Sequence, residues 1–208
     1  QEVAKMVRKG VGRLAEMQNG DGGWGWFSGN REYSYPHTTA VVVHGLLLAK
    51  KNGAEVSDKV LARGVKWLEG YEQKELQKIL NHEKKIKPFK AHASNLDAFV
   101  RMVLEESNKE NSKMLDLLFR DKLKLSTYGK SLLGMALHLA KDEERRDAVI
   151  RNIEQLLVYD KENQTAYLNL RNSGYWWNWY GSEFEAQAWY LKLLSATKPN
   201  SKQARGLV

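Results

Sequence analysis

The chain has 208 residues, 42% of them hydrophobic, with 33 Lys and Arg against 25 Asp and Glu, giving a net charge of +8. That is enough for one sizeable core and favours one domain over two. Cysteine is absent, which excludes disulfides, thiolate metal sites and cysteine nucleophiles within these residues. The longest apolar run, 40–49, is interrupted by His44 and Gly45 and suits a buried helix rather than a membrane span.

The chain opens on Gln1 and carries no secretory-signal pattern, as expected of a segment from inside a longer polypeptide. Its first helix is expected over 1–18. Next comes Met17-Gln18-Asn19-Gly20-Asp21-Gly22-Gly23-Trp24-Gly25-Trp26. Asn-Gly and Asp-Gly-Gly supply the positive φ that a tight turn needs after a helix. Trp24 can then fold back between helices as a large apolar wedge.

Segment 38–50 is apolar almost all round, so both of its sides are expected to be covered by protein. The helix after it, 58–72, carries one stripe of Val60, Gly64, Trp67, Leu68 and Tyr71, and its charged outer face should meet water. The basic stretch Lys84-Lys85-Ile86-Lys87-Pro88-Phe89-Lys90 reads as a solvated connector, with a phosphate-binding patch as its alternative. Elsewhere the basic residues are mixed with acids, and no nucleic-acid motif accompanies them. Helices follow near 91–107, 111–121, 125–140 and 143–158. The first of these presents Leu96, Phe99, Val100, Val103 and Leu104 on one face. Segment 160–182 is polar and then crowded with aromatics, and a mostly apolar helix, 184–196, comes after it. No alternating strand pattern stands out, so the expected class is all-α.

The string Lys9-Gly10-Val11-Gly12-Arg13-Leu14 recurs as Arg63-Gly64-Val65-Lys66-Trp67-Leu68 and again as Arg205-Gly206-Leu207. Aromatic-glycine segments, 22–27 and 174–180, precede the two mostly apolar helices. The order aromatic loop, buried helix, amphipathic helix is thus written at least twice, the signature of a helical repeat. Glycine inside a helix costs about 1 kcal/mol against Ala, which close approach of a neighbour would offset. The expected architecture is an α/α toroid of concentric inner and outer helices, incomplete at about nine helices. Residues 1–208 then form a single partial domain, cut at both ends.

Gln followed shortly by Gly-Gly-Trp-Gly resembles the QW repeat of triterpene cyclases and its counterpart in complement-like thioester domains. The fuller pattern resembles the bacterial α2-macroglobulin family. Its elements here are Arg13-Leu14-Ala15-Glu16-Met17-Gln18, then 22–27, then Thr39-Ala40 through Leu46 to Ala49, then Gly64-Val65-Lys66-Trp67-Leu68. The resemblance is good over about 6–72, fair over 172–208, and rests on helix pattern alone between 75 and 165.

What the resemblance implies is a piece of the thioester domain of a broad-spectrum protease trap in the bacterial envelope, periplasmic or extracellular, with a parent that can be membrane-anchored. The family's reactive bond joins a Cys to a Gln in a Cys-x-Glu-Gln motif upstream of the matching region. This chain has neither the motif nor a cysteine, so no catalytic residue, cofactor or metal site is expected in it. Its partners would be the parent's other domains and, through the parent, target proteases; neither nucleic acid nor direct membrane insertion is expected. The residues singled out are the loop motifs Gly22, Gly23, Trp24, Gly25 and Trp26, with Gly174, Trp176 and Trp177. His37, at the start of an inner helix, is a candidate supporting residue near the missing thioester, with helix-start packing as the plainer role.

The alternative is part of a toroid enzyme acting on glycans or isoprenoids. Its acid motifs, Asp-x-Asp-Asp and Asp-Asp-x-x-Asp, are absent. Carboxylate pairs such as Asp97 with Glu105 or Glu106, or Asp116 with Asp121, remain for glycoside hydrolysis, with Trp24, Trp26, Trp176, Trp177 and Trp179 as sugar platforms. His44 and His138 sit on apolar helix faces, where a hydrogen-bonded core role outweighs a ligand role.

Overall fold

The computed structural model describes residues 2–27, 32–170 and 181–207. Within these the chain forms α1 (Glu2–Glu16), α2 (Pro36–Lys51), α3 (Asp58–Lys84), α4 (Asn95–Glu106) and α5 (Ser112–Arg120). After a 3₁₀ turn at Lys122–Lys124 come α6 (Thr127–Leu139), α7 (Glu143–Glu154), a hairpin of β1 (Leu157–Asp160) and β2 (Thr165–Leu168), α8 (Glu183–Thr197) and α9 (Lys202–Gly206). Each helix lies where hydrophobic periodicity places one. The starts are fixed by side-chain caps: Ser57, Asn111, Ser126, Asp142, Ser182 and Ser201 each accept a hydrogen bond from a backbone N–H of the first turn. Such a cap contributes about 1 kcal/mol. α2 opens instead on Pro36, whose missing N–H costs nothing at that position.

Backbone contacts group the chain into two compact units, Gln1–Ala91 with Phe99–Glu110, and His92–Ala98 with Asn111–Val208. In the first unit α3 runs three turns beyond the expected 58–72, because Leu76 and Ile79 continue its buried stripe. The expectation that its charges all meet water is corrected at Glu72 and Glu75, both buried. Glu75 is held by Lys78 at 2.5 Å and Lys90 at 2.9 Å. Glu72 receives two hydrogen bonds, 2.8 and 2.7 Å, from Nη1 of Arg101, a side chain only 1% exposed. Arg101 also donates to the carbonyl of Lys109, and its Nε lies 3.3 Å from Glu105. Burial pushes the Glu105 carboxyl up; Arg101 opposes the shift, and Glu110 and Glu72 add to it.

α2 departs from expectation too. Thr39, Ala40, Val43 and Leu46 are buried, but Val41 and Leu48 on the other side are 47% and 39% exposed. No element among the described residues covers that side.

In the second unit the contrast between buried and half-exposed helices is clear. α6 is buried almost continuously from Tyr128 to Leu137, whereas α7 buries only Val149, Ile150 and Ile153. A Cβ at Gly134 would stand 2.5 Å from Leu193 of α8, so this glycine lets the two helices close up.

The fold is all-α as expected, and the two-stranded hairpin is a small addition at the end of the expected helix 143–158. The expected helix 143–158 ends at Glu154, and the chain turns antiparallel about 161–164. Asp160 Oδ1 accepts from the N–H groups of Glu162 and Asn163, and Gln164 takes a φ of 55°. Val158, Tyr159, Thr165 and Tyr167 are residue types that favour strands. Ala166 and Leu168 point inward, and Gly206 of α9 packs on Ala166, 2.9 Å from where its Cβ would be. The third copy of the repeat glycine therefore meets a strand.

Removing one partner of a buried ion cluster strands the others. Arg101→Ala is expected to cost about 3–5 kcal/mol, read as a drop in the urea midpoint. A change under about 0.5 kcal/mol would mean that Glu72 and Glu105 reach water without it.

Candidate functional site

The described part of the loop between α1 and α2 is anchored by a set of side-chain hydrogen bonds. Gln18 Nε2 donates to the carbonyls of Gly22 and Val60, at 2.9 and 2.8 Å, tying the loop to both itself and α3. Arg63 Nη2 donates to the carbonyls of Asn19 and Gly20, each at 2.9 Å. Asp21 Oδ1 accepts from Ser34 Oγ at 2.7 Å and from Gly23 N at 3.1 Å, while its Oδ2 accepts from the Trp67 indole at 2.9 Å. Burial alone would raise the Asp21 carboxyl; the bonds from Ser34, Gly23 and Trp67 together outweigh it and hold the group below the usual range.

Gly22 has a φ of +101°, and a Cβ there would lie 2.8 Å from the Arg63 carbonyl oxygen. No other residue type fits that turn without strain. Gly23 is crowded by Ser34 and the Trp67 ring, and Gly25 by the Glu32 side chain.

Trp24 is 2% exposed. Its backbone N–H donates to Thr39 Oγ1 at 3.0 Å, and its indole N–H donates to the Leu14 carbonyl at 2.7 Å. The ring lies against Gly64: a Cβ there would stand 2.7 Å from the indole and 2.8 Å from Val43. The wedge expected from the sequence is thus seated in a notch that the repeat glycine of α3 leaves open. Gly10 in α1, the matching glycine, meets nothing within 4 Å.

The remaining aromatics face outward. Trp26 is 52% exposed, with its ring edge-on to Tyr35 at 6.4 Å and 69°, and its N–H donates to Glu32. Phe27 is exposed. His37 sits in the first turn of α2, half-buried, its ring 5.5 Å from that of Phe99. Gly174, Trp176, Trp177 and Trp179 lie outside the described residues. Sequence reasoning did not single out Gln18, Ser34, Thr39 or Arg63 as loop anchors. The signal available for Arg63 was its place at the head of the repeat string.

The carboxylates considered for glycoside chemistry are each engaged elsewhere. Asp97 accepts from Ser94, Glu106 lies 2.5 Å from His44 Nδ1, Asp116 pairs with Arg145 at 2.6 Å, and Asp121 with Arg120 at 2.8 Å. Trp24 is too deeply buried to serve as a sugar platform. His44 is hydrogen-bonded as expected, whereas His138 Nδ1 is buried with no hydrogen-bond partner among the described residues. Among those residues, no group of three or more His, Asp or Glu is placed to hold a metal ion, and no helix is long and apolar enough to cross a membrane.

No family model matches the chain. In sequence it is 25% identical over 184 residues to an alpha-2-macroglobulin of Thermotoga maritima, covering 85% of this chain. In fold it matches native alpha-2-macroglobulin from Escherichia coli, solved from domain MG7 to the C-terminus, with a TM-score of 0.70 over 98% of this chain at 21% identity. The chain is similar to bacterial alpha-2-macroglobulins. A Salmonella alpha-2-macroglobulin reacted with methylamine gives a TM-score of 0.69 over 95% of this chain, again at 21% identity. The chain spans 11% of the length of the Thermotoga alpha-2-macroglobulin and 30% of the Escherichia coli chain.

Trp24→Ala is expected to cost about 3–5 kcal/mol, as a large aromatic lost from a filled site does, whereas Trp26→Ala should stay within about 0.5 kcal/mol. Thermal melts of the two variants distinguish the wedge from the exposed ring. The folded pKa of Asp21 lies below its unfolded one, so its stabilisation is present above about pH 4 and is lost as pH falls through the folded value. Asp21→Asn should therefore lower stability at pH 7 and flatten the acid limb of the stability curve; an unchanged acid limb would refute the assignment.

Proposed function

We propose that the chain is part of the thioester domain of an alpha-2-macroglobulin-like protease trap, a partial domain of the α/α-toroid class. The observation that carries this reading is the coincidence of a sequence match over 85% of the chain with a fold match over 98% of it, both to bacterial alpha-2-macroglobulins. The Gly-Gly-Trp loop and the buried and half-exposed helices support it.

In this reading the chain supplies scaffold and no chemistry. It contains no cysteine, so the Cys–Gln thioester of the family cannot form within it. The longer protein would act as an endopeptidase inhibitor outside the cytoplasm, in the bacterial envelope. Its remaining domains and the captured protease would be this chain's partners. His37, at the start of α2, would support the thioester site from nearby. The engagement of Asp97, Glu105, Glu106, Asp116 and Asp121 in structural pairs weighs against the toroid-enzyme alternative.

The test is protease trapping by the full-length protein. After incubation with a slight excess of inhibitor, trypsin should lose cleavage of a protein-sized substrate while still cutting a small chromogenic peptide. Trypsin that digests the protein and keeps both activities would contradict the proposal.

A further inference from the structure

The basic stretch after α3 is a built turn and not a loose connector. Lys85 takes a φ of 54°, and its N–H donates to the His82 carbonyl at 3.1 Å. The N–H of Ile86 donates to the Asn81 carbonyl at 3.1 Å, and the Asn81 side-chain amide donates to the Pro88 carbonyl at 3.1 Å. Lys90 N–H donates to the Lys78 carbonyl at 3.0 Å. The segment is thereby folded back on the last turns of α3, and residues 82–89 are all exposed. Its lysines divide in two. Lys90 and Lys78 are taken up by Glu75. Lys84, Lys85 and Lys87 enter no ion pair among the described residues, and Glu83 is the one acid between Leu76 and Leu96. A lysine in the last turn of a helix answers the negative end of its dipole, which accounts for Lys84. It does not account for Lys87, beyond the helix, nor for Ile86 and Phe89, which stand 51% and 45% exposed among the lysines.

We propose that this turn docks on an anionic lipid surface. Lys84, Lys85 and Lys87 would face the lipid phosphates, and Ile86 and Phe89 would dip among the headgroups to the edge of the acyl layer. Apolar burial together with attraction of cations to anionic lipid is how peripheral proteins hold a bilayer. A polyanion without an apolar layer, nucleic acid included, would match the lysines but leave Ile86 facing water. A turn of eight exposed residues offers far less than the roughly 800 Å² per partner of a specific protein interface, whereas a fluid lipid surface needs no matched shape. The contact is peripheral, since no helix of the described residues is long and apolar enough to cross a membrane. The inference rests on the turn and not on protease trapping, so either can fail without the other.

The test uses the absence of cysteine. Ile86→Cys gives a single site for an environment-sensitive NBD label, and Lys59→Cys gives its control at the other end of α3, a helix roughly 40 Å long. The vesicles are equal parts phosphatidylglycerol and phosphatidylcholine, in about 0.1 M salt, where exposed charges more than about 10 Å apart are screened. The chain should co-sediment with them, and the label at 86 should brighten and shift to the blue while that at 59 does not. Vesicles of phosphatidylcholine alone should bind at least about tenfold more weakly. Lys84→Gln, Lys85→Gln and Lys87→Gln should each weaken binding by about fivefold, on the order of a hundredfold together. The same charge change made with Lys51→Gln, Lys59→Gln and Lys66→Gln, all exposed, should cost less than about threefold in total. Ile86→Ser with Phe89→Ser, which keeps every lysine, should weaken binding at least about fivefold. Circular dichroism of each variant checks that the fold is unchanged. No co-sedimentation, binding that survives loss of Lys84, Lys85 and Lys87, or binding that leaves the label at 86 in water would overturn the proposal. So would brightening at 86 with an acidic protein and not with vesicles.

Discussion

The indole of Trp24 resting where Gly64 has no side chain is the constraint on which the first unit depends. Three helices and a loop meet at that point. The indole N–H takes the Leu14 carbonyl near the end of α1, the backbone N–H takes Thr39 at the start of α2, and the ring covers Gly64 in the middle of α3. An indole buries about 150–250 Å², worth roughly 4–6 kcal/mol at about 25 cal/mol per Å². That exceeds the cost of about 1 kcal/mol for a helical glycine. The polar anchors serve this placement. Gln18, Asp21 and Arg63 fix the turn so tightly that the ring has one place to go.

The same economy of small residues recurs in the second unit, where Gly134 admits Leu193 and Gly206 admits Ala166. Charge is handled with equal specificity. Although the chain carries a net +8, its buried glutamates each have a cation: Glu72 and Glu105 share Arg101, and Glu75 draws on Lys78 and Lys90. These contacts are structural. Under the proposed function, the chain's contribution to protease trapping is a shaped helical scaffold, and reactivity belongs to residues outside it.

Much of this was legible in the sequence. Stripes such as Leu96, Phe99, Val100, Val103 and Leu104 announced the helices, and the repeat glycine announced a close approach that the structure shows at Gly64. The wedge role of Trp24 followed from its size and the turn before it. What escaped did so for physical reasons. Glu72, at the end of the expected helix, and Glu75, in the extension of α3, both turn inward, and a buried acid breaks the apolar stripe until its partner, distant in sequence, is known. The hairpin has strands of only four residues, too short for alternation to stand out against the helical periodicity before it. The exposed side of α2 could not be foreseen, because an apolar surface in sequence does not say whether a neighbour is there to cover it.

The most direct test of the central claim is a double-mutant cycle between Trp24 and Gly64. If the glycine exists to admit the ring, Gly64→Ala destabilises the wild-type chain, because overpacking of about 1–3 kcal/mol outweighs the gain in helix propensity. In the Trp24→Ala background the indole no longer obstructs and only the Val43 methyl, 2.8 Å away, must give, so the same Gly64→Ala change should cost at least about 1 kcal/mol less. That difference between the two backgrounds in urea unfolding is what the account predicts. An effect of Gly64→Ala that is the same in both backgrounds would contradict it.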